Sequence, residues 1–414
     1  MKQNACLQTA GRLLAIVVAV VVFASSAPAE KVLYAFQGGS DGAEPLANFI
    51  SDKAGNLYGV TGNGGIECDI SQLGCGTVFQ LAPPVHNGGK WTKTILHKSA
   101  GNGSDGSYPA PPQLLMDKAG NLYGTTMTGG LNNMGAIYRL TPPVKSHGAW
   151  KEKVLYSFKG GSDGLQPGGL VVGLDGSYYG ITTYGGDTEG DGTVFQFSKS
   201  AGGGWKEKVI YRFQNGADGS APSFFQTLAV DKNGNLFGTT LVGTAFELSP
   251  PAKKGAHWTE STLSSNIGFG IYAGLILDKA GNLYGANLSG GQGGAGFVFE
   301  LSPAQGGTWT TTTLYTFTGG SDGRYPYASL IFDAKGNLYG TTYSCGPGDG
   351  GGVAFKLAPP QKGGDWTETV FHTFEGGSDG ASPSGGVFEK SGMLYGTTQF
   401  GGSANKGTVF ALRP

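Results

Sequence analysis

Charge is scarce in this chain. Asp, Glu, Lys and Arg make up 14% of its 414 residues, against roughly a quarter in an ordinary globular protein. The 28 basic and 29 acidic residues nearly cancel. Affinity for nucleic acid needs clustered Lys and Arg to neutralise phosphates, and here they are spread thinly with no basic face, so no nucleic-acid partner is expected. Histidine occurs five times and cysteine four times, and no Cys-x-x-Cys or paired His spacing accompanies them, so a metal centre of that kind is not expected. Long apolar runs are also missing once the first thirty residues are passed, which leaves no later segment to span a bilayer.

Those first residues read as an export signal. Lys2 and Arg12 precede the apolar run Leu13 to Ala24, and Ala27-Pro28-Ala29 supplies an A-x-A site. A signal peptide over residues 1–29 would leave Glu30 as the first mature residue. The alternative is an uncleaved N-terminal anchor, although twelve apolar residues are few for a span. Cys6 lies on the wrong side of the run for lipidation. Without Lys2 and Arg12, 26 basic residues face 29 acidic ones, a balance of −3. In an oxidising compartment Cys68 and Cys75, in a loop longer than its equivalents, are a candidate disulfide, the alternative being two free thiols. Cys345 has no evident partner.

What is abundant is glycine, 77 residues, placed between β-branched and aromatic runs with no three-residue period. A collagen-like rod and a disordered tract are thereby excluded. The order is a repeat. The motif Gly-Asn-Leu-Tyr-Gly or a close variant closes at Gly59, Gly124, Gly180, Gly238, Gly285, Gly340 and Gly396, in steps of 65, 56, 58, 47, 55 and 56 residues. A sustained period in the fifties fixes the architecture before any local detail. Each unit holds four short β segments. In the sixth these are Ser329 to Asp333 (strand a), Leu338 to Tyr343 (b), Gly352 to Leu357 (c) and Trp366 to Phe374 (d). A Gly/Asn turn joins a to b, and Pro359-Pro360 stops c.

Seven units of four antiparallel strands predict an all-β, seven-bladed β-propeller over residues 30–414, built from seven repeats of about 56 residues. The phase of the ends supports a ring. Val32 to Phe36 has strand-d sequence, whereas the chain finishes on a strand c, Gly407 to Leu412. The opening strand is therefore expected to pair with the last blade and remove the exposed edge. Trp91, Trp150, Trp205, Trp258, Trp309 and Trp366 all stand at the entry to a strand d and are expected to pack between blades. The motif aromatics Tyr58, Tyr123, Tyr179, Phe237, Tyr284, Tyr339 and Tyr395 should be core. Two units depart from the pattern: the fourth has almost no b–c loop, and the fifth lacks the Asp-Gly loop.

Repeats of the form Asp-x-x-Gly-Asn-Leu-Tyr-Gly-Thr-Thr, then Gly-Gly, then Gly-Thr-Val-Phe-x-Leu, with Leu-Tyr-x-Phe and Gly-Gly-Ser-Asp-Gly, resemble the GloVer-type (Gloeo/Verruco, choice-of-anchor) tandem repeat of secreted bacterial proteins. The resemblance covers nearly all of residues 31–414. It implies export and a variable means of surface attachment, and no assigned activity. No C-terminal anchor segment is evident, which favours release over attachment.

In a propeller the d–a and b–c loops share one face. That face should carry Asp41, Asp105, Asp163, Asp218, Asp322 and Asp379, one from each Asp-Gly loop. Six carboxylates in a ring would suit Ca²⁺ or a polyhydroxylated ligand. The simpler reading is that Asp before Gly caps its own turn. Gly-Gly-Ser-Asp-Gly also matches the Gly-x-Ser-x-Gly pattern of hydrolases at Ser40, Ser162, Ser321 and Ser378, but a nucleophile elbow needs a strand-to-helix turn and a partner histidine, and neither is evident. Asp187, Glu189, Asp191 and Asp349 are acids without counterparts in other units, the raw material for a carbohydrate-active hydrolase or lyase. The expectation is a secreted, monomeric, non-catalytic scaffold without a catalytic residue or resident cofactor, binding an extracellular glycan or surface protein and free of the membrane after signal cleavage. The alternatives are an extracellular carbohydrate-active enzyme and a structural element of a surface layer.

Overall fold

The computed structural model describes residues 30–414 except 47, 69–72, 87, 111–113, 145–147, 187–189, 254, 345–350 and 362. The expected leader over residues 1–29, and with it Asp187, Glu189, Asp349, Cys345 and His147, lies outside the described residues. No helix among the described residues is long and apolar enough to cross a membrane.

Seven small antiparallel sheets form a ring, a seven-bladed β-propeller. The third blade shows the pattern: an inner strand in two pieces, Leu165–Pro167 and Val171–Val172, then Tyr178–Tyr184 (b), Thr193–Lys199 (c) and Trp205–Arg212 (d). Strands b and c are buried almost throughout, whereas d alternates between exposed and half-buried residues. This gradient marks d as the rim of the disc. It also explains why the d sequences mix Lys, Glu and Thr with apolar residues, while the c strands are mostly apolar around one half-buried polar position, such as Gln80, Arg139, Gln196 or Lys356.

The ring closes where the sequence says it should. Glu30–Ala35 runs antiparallel to Thr408–Leu412, with Val32 opposite Phe410 and Ala35 opposite Thr408, and the amide of Phe36 donates to the carbonyl of Gly407 at 2.9 Å. A register shift lies between Val32 and Tyr34. The same bulge occurs in the c–d pair of every other blade, for example between Phe195 and Val194 opposite Val209 and Tyr211. The N-terminal strand thus reproduces the geometry of a strand d, down to its irregularity, although it arrives from the other end of the chain.

Two packing rules hold the blades together. Within a blade, the phenylalanine of strand c lies over the last glycine of the b motif: a Cβ on Gly180 would stand 2.6 Å from the Phe195 ring, and one on Gly238 the same distance from Phe246. The glycine is required there by close approach, not by a turn. Phe79, Phe195, Phe246, Phe299 and Phe355 are all fully buried, each contributing roughly 2–3 kcal/mol of burial. Between blades, each tryptophan meets the motif aromatic of the preceding unit: Tyr58 with Trp150, Tyr123 with Trp205, Tyr179 with Trp258, Phe237 with Trp309, Tyr284 with Trp366, and Tyr395 with Trp91 across the closure.

The inner strand differs from the expectation. The repeat pattern predicts strand a as one segment, with the preceding residues up to Pro383 as connection. In five blades a three- or four-residue piece ending in proline, such as Ala43–Pro45 or Ala381–Pro383, pairs with strand b before the segment that was expected. The residue before that proline has positive φ in six units, at Glu44, Tyr108, Gln166, Ala221, Tyr325 and Ser382. Its amide donates to a carbonyl of the neighbouring blade, as from Glu44 to Lys406, Gln166 to Met134 and Ser382 to Gly351. A left-handed non-glycine residue is unfavourable alone, and the inter-blade hydrogen bond is what holds it.

Candidate functional site: the face of the Asp-Gly loops

The six aspartates are placed alike, and each is tied to its own loop. Asp163 accepts from the Lys159 amide at 2.8 Å and the Tyr156 hydroxyl at 2.5 Å. Asp218 accepts from the Gln214 amide and the Tyr211 hydroxyl, both at 2.9 Å. Asp322 takes the Thr318 amide at 2.7 Å and the Tyr315 hydroxyl at 3.1 Å. In Asp105 and Asp379 the tyrosine is replaced by histidine, with His97 at 3.0 Å and His372 at 3.3 Å. Asp41 receives the Gln37 amide, the Tyr34 hydroxyl and, at 2.7 Å, the Lys93 ammonium. The carboxylates thus fasten the end of strand d to the loop that follows it. Among the described residues no three His, Cys, Asp or Glu side chains gather at metal-binding spacing.

A second acid stands beside several of them. Glu207 on the next strand d shares the Tyr156 hydroxyl with Asp163, at 3.3 Å. Burial, and then the charge of Asp163, push the Glu207 carboxyl up to about 8. Burial with Asp105 raises Glu152 to about 7, and burial with Asp322 raises Glu368 to about 7. In the first blade Lys93 occupies this position. There burial works to raise Asp41, but the Lys93 ammonium, the Gln37 amide and the Tyr34 hydroxyl outweigh it and hold the carboxyl below its ordinary range.

The other predicted residues fall out as follows. Cys68 and Cys75 are joined as a disulfide, with Cα atoms 6.0 Å apart. Their loop walls a cavity of about 350 Å³ together with Ser40, Glu44, Asn63, Ile66, Leu73 and Lys406. Ser378 shares an open groove with His372 and Asp379 at the rim, so a histidine does accompany that serine. His372, however, stands where other blades place the loop-tying tyrosine, which accounts for its contact with Asp379. Asp191 is buried, and its carbonyl accepts from the Ala221 amide at 2.7 Å.

Sequence reasoning missed a cluster at the axis. Leu46, Asn48, Phe225, Tyr327, Ser329 and Ser384, from four different blades, border one small cavity. Tyr272 stacks on Tyr327 with ring centres 5.2 Å apart at 15°, and Phe225 meets both edge-on at 5.8 and 5.3 Å. The signal was present in the repeat alignment. Three positions before the buried aliphatic or aromatic residue of the inner strand, the units read Leu46, Pro111, Pro167, Phe225, Tyr272, Tyr327 and Ser384.

Fold and faces together define a repeat propeller: one backbone device used seven times, with differing loops on one side. The chain belongs to the Gloeobacter/Verrucomicrobia repeat family, whose model matches residues 68–249 and 242–414. Comparison with curated proteins finds no match. Among solved structures the chain is similar to a fungal alcohol oxidase of the AA5 family in complex with copper, with a TM-score of 0.56 over 93% of this chain and 75% of that one. Identity is 12%, so the likeness shows a shared fold alone.

Proposed function

We propose that the protein is an exported, non-catalytic scaffold that binds a glycan or a surface protein through the face carrying the Asp-Gly and b–c loops. The observation that carries this reading is the asymmetry between the two faces. On the a–b side the units repeat one device. Asp52, Asp117, Asp278 and Asp333 each accept from the backbone and side chain of an asparagine four residues on and from the motif tyrosine. On the opposite side the units diverge: a disulfide-braced loop in the first, a connection of only Thr240 to Thr244 in the fourth, and no Asp-Gly loop in the fifth. Uniform turns serve the fold, and divergent loops on a rigid frame are where recognition resides. The Cys68–Cys75 bond supports export, because such bonds persist in oxidising compartments.

The test is binding of the purified mature chain to a glycan array and to envelope fractions of the producing cell. Ile66→Asp and Phe269→Asp on the divergent face should weaken capture, and Lys53→Glu and Lys335→Glu on the uniform face should not. Loss of capture by the second pair alone would overturn the assignment of faces. Export is read separately, from the N-terminal residue of the secreted protein, expected to be Glu30.

A further inference from the structure

The cavity beside the disulfide-braced loop has the size of a ligand site. It holds about 350 Å³, within the range of small-molecule pockets, and lies at the seam where the seventh blade meets the first. Its floor is bare backbone: Gly38, Gly39, Gly64, Gly65 and Gly74 border it, all at positive φ. A Cβ on Gly64 would stand 2.5 Å from Gly42, so no side chain fits there, whereas one on Gly39 would meet nothing within 4 Å. The walls are held in place. The Cys68–Cys75 bond and the hydrogen bonds from Gly64 to Leu73, at 2.8 Å, and from Gly65 to Gly39, at 2.9 Å, fix the segment that carries Ile66 and Glu67. On the other side the stem of Lys406 lies over Gly38, where a Cβ would be 3.2 Å from its Cγ, and its carbonyl accepts from the Glu44 amide at 3.0 Å.

Charge marks this seam out. The bond from Glu44 to Lys406 is the inter-blade contact made by every left-handed residue of the inner strand, and elsewhere it joins Tyr108 to Cys75, Gln166 to Met134 and Tyr325 to Ala295. Of the six such pairs, this one alone has side chains of opposite charge. Glu67 adds a second carboxylate from the extended loop. Among the described residues neither Lys406 nor Glu67 enters an ion pair, and Glu44 takes the Gln399 side-chain amide at 3.2 Å. Charges of both signs therefore border one cavity, in a chain poor in charge, without neutralising each other. Ala43, Ile66 and Leu73 add an apolar wall.

A molecule carrying both charges satisfies both sides at once, through charge-assisted hydrogen bonds. A simple cation or anion would meet one side only. A neutral sugar would leave the charges unmet, and no aromatic ring borders the cavity for it to stack on.

We propose that the seam cavity binds a small zwitterion, an aliphatic α-amino acid, with Glu44 and Glu67 facing its ammonium group, Lys406 its carboxylate, and Ile66 and Leu73 its side chain. This site goes beyond the scaffold reading, which needs no small ligand.

The experiment is calorimetric titration of the mature protein with L-leucine, N-acetyl-L-leucine and L-leucinamide, with the melting temperature as a second readout. L-leucine should bind with a Kd of about 1 mM or tighter. The other two, each lacking one charge, should bind about ten-fold more weakly or worse. Lys406→Met and Glu44→Gln install the residues that another unit carries at these positions, Met134 and Gln166, so the fold has room for both. Lys406→Met, and Glu44→Gln combined with Glu67→Gln, should each weaken L-leucine about ten-fold or more, and Lys53→Met on the uniform face should not. Circular dichroism of the variants separates lost contacts from lost fold. Absence of L-leucine binding at about 10 mM, equal binding of the two singly charged analogues, or an affinity unchanged in both cavity variants overturns the proposal. Capture on the glycan array reads the scaffold function separately, so either reading can fail alone.

Discussion

Trp91 and Tyr395 stand 304 positions apart in the chain, yet their rings meet at 6.1 Å and 61°. The contact is the one every tryptophan makes with the preceding unit, here made across the seam of the ring. Trp91→Ala should cost about 3 kcal/mol. Combined with Tyr395→Ala in a double-mutant cycle, it should show coupling of about 0.5–1.5 kcal/mol. Trp258→Ala with its partner Tyr179→Ala should give a similar coupling, because a closed ring has no weak junction. Urea unfolding followed by tryptophan fluorescence measures both.

The closing strand makes a sharper demand. A chain beginning after Phe36 would leave Thr408–Leu412 as an unpaired, largely apolar edge, the arrangement that recruits other chains. Such a variant should elute as dimers or larger species in size-exclusion chromatography with light scattering. The full mature chain should stay monomeric under the same conditions. Adding a synthetic peptide of residues 30–36 should restore part of the monomer.

Much of this was legible because the repeat supplies seven readings of one structure. Strand identity, blade count and closure follow from the spacing of Gly59 to Gly396 and from the phase of Val32 to Phe36, where local pattern and global topology agree. The inner strand was not legible. A piece such as Ala43-Glu44-Pro45 is three residues long, ends in a residue that cannot donate, and has Glu44 at φ 55, all of which are signals of a turn. It pairs with strand b of its own blade, but its left-handed residue is held by a bond to the neighbouring blade, which no single unit displays. The roles of the six aspartates were ambiguous for a related reason. Asp-Gly reports a tight turn, but the tyrosine or histidine that completes it sits seven or eight residues earlier on a different element.

The motif glycine admits a direct check. In Gly238→Ala the new Cβ would meet Phe246 at 2.6 Å and Leu228 at 2.8 Å, so the strand-c ring must shift in a packed interior. The expected cost is about 1–3 kcal/mol. Gly255→Ala, where nothing lies within 4 Å but φ is +90, should also destabilise, through backbone strain instead. Adding Phe246→Leu to the first variant should recover part of its loss and do nothing for the second. Thermal melts of the four proteins distinguish crowding from strain.

Acid pairs between blades give the protein a predictable response to pH. The folded pKa values of Glu152, Glu207 and Glu368, near 7, 8 and 7, lie above the ordinary 4.5. The folded state therefore holds protons that the unfolded chain releases, and this stabilisation is complete below about pH 4.5 and lost as pH rises through 7 to 8. The a–b turn aspartates act in the opposite sense. Burial tends to raise Asp52, Asp117 and Asp333, but their hydrogen bonds outweigh it and leave them below 3.8, so their contribution is lost only in stronger acid. Stability should thus peak near pH 4 to 4.5 and fall progressively from there toward pH 8.5. Glu207→Gln removes the charge that must be neutralised while keeping the shape, so it should raise the melting temperature at pH 8.5 and leave it nearly unchanged at pH 5. The first blade, where Lys93 already compensates Asp41 at 2.7 Å, supplies the converse. Lys93→Glu would create another such pair, and it should steepen the loss of stability above pH 7.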